Sequence, residues 1–425
     1  MVLSKNKLKK CASNIRESYR NNEKVQTSDL ELINEYRRQH KEIISSVFYD
    51  LCNMSKKVHN NSVVVFRLKR IDTIVRKLTR LETGLDRLQD IAGCRIIVDS
   101  VAQINSLVES LENHSLIQVI RKTNYIENPR KSGYKSYHLV VKKKGFNHEV
   151  EIQIRTRNHH YWATFVEIVD HTFDIKIKEG DEHVQILRIH KLLSKSENEP
   201  LTKNEVIELV YLERELEMLK KILQVFRNNY LIACQNWIQG GSSKDLEYIL
   251  LEVIDNKPHF EFYKNFEEAE SVYFKKVKED FDSNVVIINI NKPDITKLFL
   301  AYSNYVLVSH PFIIRMIEYI FEVILDTKRE GDFNKLKELR QYNKELMEMI
   351  NKGFIDERLF IEEIQSSDGD SDQPTENIVQ WYLTLLQRVL DIHNKSKEME
   401  ENLDNVKPKL KFKTLIPRFK YWLNN

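Results

Sequence analysis

Cysteine is scarce in this chain, and long apolar runs are missing from it. Four cysteines among 425 residues, Cys11, Cys52, Cys94 and Cys234, lie far apart and form no CxxC pair or Cys/His cluster. That usage argues against structural zinc and for reduced thiols in a cytoplasmic setting. No stretch approaches the ~20 apolar residues a membrane helix requires, so no membrane association is expected. The opening residues, MVLSKNKLKK, are charged and lead into no apolar segment, so no secretory signal is expected. Internal repeats are absent too.

The composition, 41% hydrophobic and 30% charged, is that of a chain able to bury cores and not disordered as a whole. Its length suggests roughly two to four domains. The net charge of +3 conceals an asymmetry: residues 1–160 hold 30 of the 66 Lys and Arg but only 17 of the 63 Asp and Glu. The front of the chain is therefore at +13 and the rest at −10. A basic half suits phosphate-rich ligands, and an acidic half is positioned to face it in cis or to bind a protein trigger.

Periodicity predicts an opening helix with a capping box at Ser28 and Glu31, then a second helix over 66–83. On the second helix Lys69, Arg76, Lys77 and Arg80 share a face opposite an apolar stripe. CRIIV, LIQVI, YHLVV and HEVEIQIR read as strands, the last two as a hairpin through Lys144-Gly145-Phe146-Asn147. A helix over 158–173 follows, with Trp162, Phe165, Val166, Val169 and Phe173 inward. The fold class is α+β, a mixed β-sheet flanked by helices, followed by a helical and small α/β region. The expected segments are 27–195; a helical connector at 200–240; a small α/β plus helical domain at 244–363; an acidic linker at 364–376; and a helix with a basic tail at 377–425.

The stretch RKSGYKSYHLVV, residues 130–141, sets three cations, a glycine and two tyrosines before a strand that itself carries His138. In HEVEIQIR, Glu149, Glu151, Gln153 and Arg155 alternate with apolar residues and so share one face. That pattern fits a lined cleft and an edge strand with one solvated face about equally. Asp90 stands just before the strand at 94–98, and two carboxylates from neighbouring strands can hold Mg²⁺, which prefers oxygen ligands. Arg67, Lys69 and Lys77 can converge on a polyphosphate, and arginine can also stack on a base. Beside Tyr134 and His138 they complete a nucleotide site: a phosphate clamp, a metal and an aromatic platform.

In order and spacing, RLKRIDTIVRKL, DIAGCRIIV, NYIENPRKSGYKSYHLVV and EVEIQIRT resemble the synthetase domain of the RelA/SpoT family. The pattern is R-x-K with a lysine eight residues on, D-x-x-G-x-R, P-K-x-x-G-Y-x-S-x-H and E-x-Q-x-R-T. What the resemblance implies is a nucleotidyltransferase-like synthetase domain that transfers the β,γ-diphosphate of ATP to the 3′-hydroxyl of GDP or GTP. It implies Asp90 and Glu151 as the Mg²⁺ and catalytic carboxylates. It implies Arg67 and Arg95 about adenine, with Lys69 and Lys77 on the phosphates. For the acceptor it implies Tyr134 as base stacker, with Arg130, Lys131, His138, Gln153 and Arg155 around it.

The chain departs from the pattern at Arg130, where the family has lysine, and at Thr73, where serine is usual. Relatives that act as toxins modify the 3′ end of tRNA instead, and an inactive nucleotide-binding regulator is a further alternative. Too few residues precede Arg67 for a helical His-Asp hydrolase domain, so synthesis without hydrolysis is expected. A homo-oligomer is compatible with this reading. His160, Glu167 and His171 share a helix face at offsets 0, 7 and 11, a spacing for which packing is preferred over zinc.

Overall fold

Ser4 accepts a hydrogen bond from the Lys7 backbone N–H and so starts helix α1, Lys5–Arg20, whose Leu8, Cys11, Ala12 and Ile15 are buried at helical spacing. The computed structural model describes residues 3–130, 132–175, 177, 183–226, 232, 246–254, 257–281, 283–290, 295–301, 310–367, 387 and 390–403. Sequence periodicity had not singled out α1. The predicted opening helix is two helices, α2 (Thr27–Arg38) and α3 (Lys41–Val58), broken at Gln39-His40. Helix α2 starts at Thr27, which places Ser28 inside the first turn, and the N-cap Gln26 makes no side-chain bond. The expected capping box is therefore not formed.

Residues 63–68 form strand β1 (Val63–Leu68), and helix α4 begins only at Ile71 and runs to Leu81. The β-branched run Val63-Val64-Val65 decides this, because it fits a buried strand better than a helix. Arg67 is thus on a strand and Lys69 precedes the helix. The chain continues through β2 (Ala92–Val98), α5 (Val101–Glu112), β3 (Ile117–Asn124), β4 (Tyr137–Lys143), β5 (Glu149–Thr156) and α6 (Arg157–Thr172). Gly145 turns the β4–β5 hairpin at φ 92°, a left-handed conformation that glycine adopts without a Cβ penalty.

Then come α7 (Val184–Lys195), α8 (Lys203–Leu216), α9 (Met218–Phe226), β6 (Tyr248–Ile254), β7 (Lys257–Tyr263), α10 (Phe266–Glu279), β8 (Asn284–Asn289), α11 (Ile295–Ala301), α12 (Pro311–Glu330) and α13 (Phe333–Ser367). The strands make one eight-stranded sheet in the order β3-β4-β5-β2-β1-β8-β6-β7. It is mixed, as expected: β2 and β5 run parallel and every other neighbouring pair antiparallel.

The strands at 248–289 were expected in a small domain of their own. Instead β8 extends the front sheet, pairing Val64 with Asn289, Val65 with Ile288 and Phe66 with Ile287. The physical reason is that β1 is buried on both faces and must be paired on both sides, while β8 is apolar enough to sit inside a sheet.

One compact unit comprises residues 1–164, 228–305 and 370–378, and the other 165–227, 306–369 and 379–425; the boundary falls within α6. In the first unit the back of the sheet packs on α3, α5 and α10 around Phe48, Phe66, Ile96, Ile152 and Tyr273. A second core joins α1, α2 and α4 through Ile15, Ile33, Ile74 and Leu78. In the second unit, Arg188 on α7 makes a two-pronged 2.7 Å bond to Glu208 on α8. Arg315 on α12 donates to Ser196.

Residues 364–367 of the predicted linker end α13, and the rest of that linker and the basic tail lie outside the described residues. Among the described residues no helix is long and apolar enough to cross a membrane.

Candidate active site

Strand β5 lies between β4 and β2, so it is not an edge strand. Its register sets Glu151 beside Gly93 and Gln153 beside Arg95 on one flank, with Gln153 opposite His138 on the other. On β1, Arg67 pairs with Gly93. The polar residues of four strands therefore share the sheet face opposite the main core, and the cleft reading of HEVEIQIR is the one the register supports. Gly93 keeps this floor low: a Cβ there would lie 3.8 Å from the Glu151 carbonyl and 3.9 Å from that of Arg67.

Asp90 meets the strand face from the turn before β2. Its Oδ2 accepts from Lys69 Nζ at 3.0 Å and from Lys77 Nζ at 2.6 Å. Burial pushes the Asp90 carboxyl up and nearby Glu151 adds to that, but the two lysines outweigh both and hold it below its usual range. Asp90 Oδ1 is buried and has no hydrogen-bond partner among the described residues. Lys69 and Lys77, read as two residues of one basic helix, arrive from different elements, and they meet because α4 starts beyond Lys69.

Glu151 is held from two sides. His138 Nδ1 lies 3.1 Å from Oε1, and Gln153 Nε2 donates to Oε2 at 2.9 Å. Burial raises its carboxyl, but His138, Gln153 and the charge of Lys69 together bring it down to about 2. His138 is itself lowered, chiefly by burial. A neutral imidazole with its proton on Nδ1 suits both of its bonds, since Nε2 lies 2.7 Å from the Tyr134 hydroxyl. Tyr134 can donate there because its oxygen already accepts from Arg155 Nη2 at 2.6 Å. Arg155 Nη2 also donates to Gln153 Oε1 at 2.8 Å.

The loop before β4 folds over this group. Arg130 places its guanidinium carbon 4.6 Å from the Tyr125 ring centroid and 5.4 Å from that of Tyr134, and Nη2 donates to the Tyr125 hydroxyl at 3.0 Å. Tyr134 is only 8% exposed, with edge contacts to Tyr125, His138 and Trp162. Gly133 sits at φ 90°, and its N–H closes a turn on the Arg130 carbonyl.

Of the residues singled out from sequence, Asp90, Lys69, Lys77 and Glu151 come together, as do Tyr134, His138, Gln153, Arg155 and Arg130. Arg67 and Arg95 lie on the same face of adjacent strands, at diagonal positions. Lys131 lies outside the described residues. Tyr125 was missed; an aromatic residue five positions before Arg130 in the same basic loop was the available signal. Gln89, which donates to Glu149 at 2.8 Å, was missed too. His160 is fully buried, whereas Glu167 and His171, read as sharing its helix face, are exposed, so packing accounts for His160 alone.

Residues 66–180 match a family model described as a region found in RelA / SpoT proteins. Over 110 residues the chain is 32% identical to the GTP pyrophosphokinase YwaC of Bacillus subtilis, covering 23% of this chain and 52% of that protein. Over 125 residues it is 35% identical to the GTP pyrophosphokinase YjbM of the same organism, covering 27% and 59%. The chain thus spans between half and three-fifths of these relatives. Among solved structures it is similar to the small alarmone synthetase 1 from Bacillus subtilis bound to its product pppGpp. That likeness has 26% identity and a TM-score of 0.35, and covers 38% of this chain and 89% of the other.

Proposed function

We propose that this chain is a diphosphotransferase that moves the β,γ-diphosphate of ATP to the 3′-hydroxyl of GDP or GTP, giving (p)ppGpp-type products. The observation that carries this reading is the meeting of Asp90 and Glu151 with Lys69 and Lys77 on the polar face of the sheet. The similarity to two GTP pyrophosphokinases supports it.

In the reaction the acceptor 3′-oxygen forms a bond to the β-phosphorus. The bond from that phosphorus to the oxygen bridging the α- and β-phosphates breaks, and AMP leaves with the electron pair. Glu151, ionised and fixed through both oxygens, stands as acceptor for the hydroxyl proton. Lys69 and Lys77 sit where charge shifts toward the leaving AMP, and ammonium groups there stabilise it. Arg67 and Arg95 offer planar faces to a base from one side of the sheet. Tyr134 and Arg130 do so for the acceptor. Positioning and electrostatics supply most of such a barrier reduction.

A Mg²⁺ ion fits the residues present. The buried Asp90 Oδ1, without a hydrogen-bond partner among the described residues, and the neighbouring Glu151 carboxylate are hard oxygen donors of the kind it takes. Bound with a nucleotide, the ion would neutralise polyphosphate charge.

The test is incubation of the purified protein with Mg²⁺ and ATP labelled in its γ-phosphate, with GDP, GTP and deacylated tRNA offered in parallel and Glu151→Gln as control. Label in a guanine nucleotide, absent from the control, is the expected result. Label in tRNA alone would replace this reading with a tRNA-modifying toxin. Adding ppGpp without ATP tests the expected lack of hydrolysis in the same experiment.

A further inference from the structure

Arg155 was placed among the acceptor ligands by resemblance, but its surroundings suggest another role. It is 3% exposed and two of its three nitrogens are engaged by the protein itself: Nη2 with Tyr134 and Gln153, and Nε with Ser136 Oγ at 3.4 Å. Two arms run from this one guanidinium. The first passes from Arg155 to the Tyr134 hydroxyl, then to His138, and ends on Glu151 Oε1. The second passes from Arg155 through the Gln153 amide and ends on Glu151 Oε2. Donor and acceptor roles agree around the whole ring: the cation only donates, Tyr134, His138 and Gln153 each accept and donate, and the carboxylate only accepts.

We infer that Arg155 is a positioning residue, which fixes both oxygens of Glu151 through Tyr134–His138 on one side and Gln153 on the other, and is not an acceptor ligand. Four side chains from β4, β5 and the loop before β4 thereby hold one carboxylate in a single rotamer. Such support is what keeps a reacting group within the narrow geometry that transfer requires. Arg155 suits this hub because a planar guanidinium presents donors in two directions at once, whereas an ammonium is a point charge. Nη1 is buried and has no hydrogen-bond partner among the described residues, so a test must also read acceptor binding directly.

This inference rests on the diphosphotransferase reading for its kinetic test but not for its spectroscopic one. In Arg155→Met, kcat should fall about 100-fold, the scale of a small misplacement of a reacting group, while the KM for the guanine nucleotide changes less than about threefold. Arg155→Lys should recover part of the loss. Proton NMR of the ligand-free protein should show a hydrogen-bonded imidazole N–H of His138 in the wild type that is lost or strongly shifted in Arg155→Met.

A KM rise of about tenfold or more with kcat retained, or a His138 signal unchanged in Arg155→Met, would overturn the inference. If the wild type transfers no label to any guanine nucleotide, the activity reading fails, and the His138 signal decides the positioning role alone. Should Arg155→Met not fold, Gln153→Met cuts one arm only. It should then lower kcat by a smaller factor and leave the His138 signal in place, and loss of that signal would overturn the two-arm arrangement.

Discussion

Lys77 donates a 2.6 Å hydrogen bond to Asp90 Oδ2, the same oxygen that Lys69 reaches from the other side of the α4 N-terminus at 3.0 Å. One carboxylate thus holds two cations that would otherwise repel each other across a part-buried site. Asp90→Asn should abolish measurable transfer, a loss of about 1000-fold or more for a group that acts on the reacting phosphates. It should also lower stability by about 1–3 kcal/mol, because both lysines lose a charged partner. Initial rates and urea melts check the two parts separately; full activity in Asp90→Asn would remove it from the site.

Arg130 lies over Tyr125 and Tyr134, with a hydrogen bond to the first. A lysine at this position could not stack its head group in the same planar way. Arg130→Ala should raise the acceptor KM about tenfold with little change in that for ATP. Tyr125→Phe, which removes only the hydroxyl partner, should raise it about threefold, in line with the ~1 kcal/mol of a single hydrogen bond. Equal effects on both substrates would point to a collapse of the loop instead.

Glu213 gives the second unit a pH dependence of its own. It is buried, accepts from the Tyr342 hydroxyl at 2.6 Å and from the Leu219 backbone at 3.1 Å, and its Oε2 has no partner among the described residues. Burial raises its carboxyl from the ordinary 4.5 to about 7, against the pull of Tyr342, Leu219 and Lys220. A folded-state value above the unfolded one favours the protonated form, so its stabilisation is full below about 4.5 and lost as pH rises through about 7. The difference is roughly 3 kcal/mol at about 1.4 kcal/mol per unit. Denaturant melts at pH 5 and pH 8 should show it, and Glu213→Gln should flatten it; an unchanged pH profile in that variant would refute the assignment.

Strand β8 predicts the fate of a shortened chain. Ending the protein at residue 200 removes β8 from the side of β1, leaving the β-branched strand Val63–Leu68 as an apolar edge. Such edges template aggregation. The fragment should be insoluble or oligomeric by size-exclusion chromatography, and inactive for that reason. A monomeric, active fragment would show that β8 is dispensable.

Much of the site was legible because its chemistry is written in short periods. The alternation of Glu149, Glu151, Gln153 and Arg155 put them on one face, and the structure keeps them there. The mixed sheet and the Gly145 hairpin were legible for the same reason. The boundary of α4 was not, since Phe66 and the basic residues after it continue a helical period that the valines before them interrupt. The attachment of β8 could not be read at all, because an apolar strand carries no record of its neighbour. The hydrogen-bond ring between Arg155 and Glu151 was equally hidden: shared faces follow from spacing, but side-chain directions do not.

The pairing of Val65 with Ile288 also has a temporal meaning. The strand that flanks the catalytic sheet is made more than two hundred residues after its partner, so a chain growing from its N-terminus carries every proposed catalytic residue long before it can finish the sheet around them. Contacts so distant in sequence also slow folding. The proposed diphosphate transfer would therefore begin only once residues up to about 290 have been made, and a half-synthesised chain would be silent.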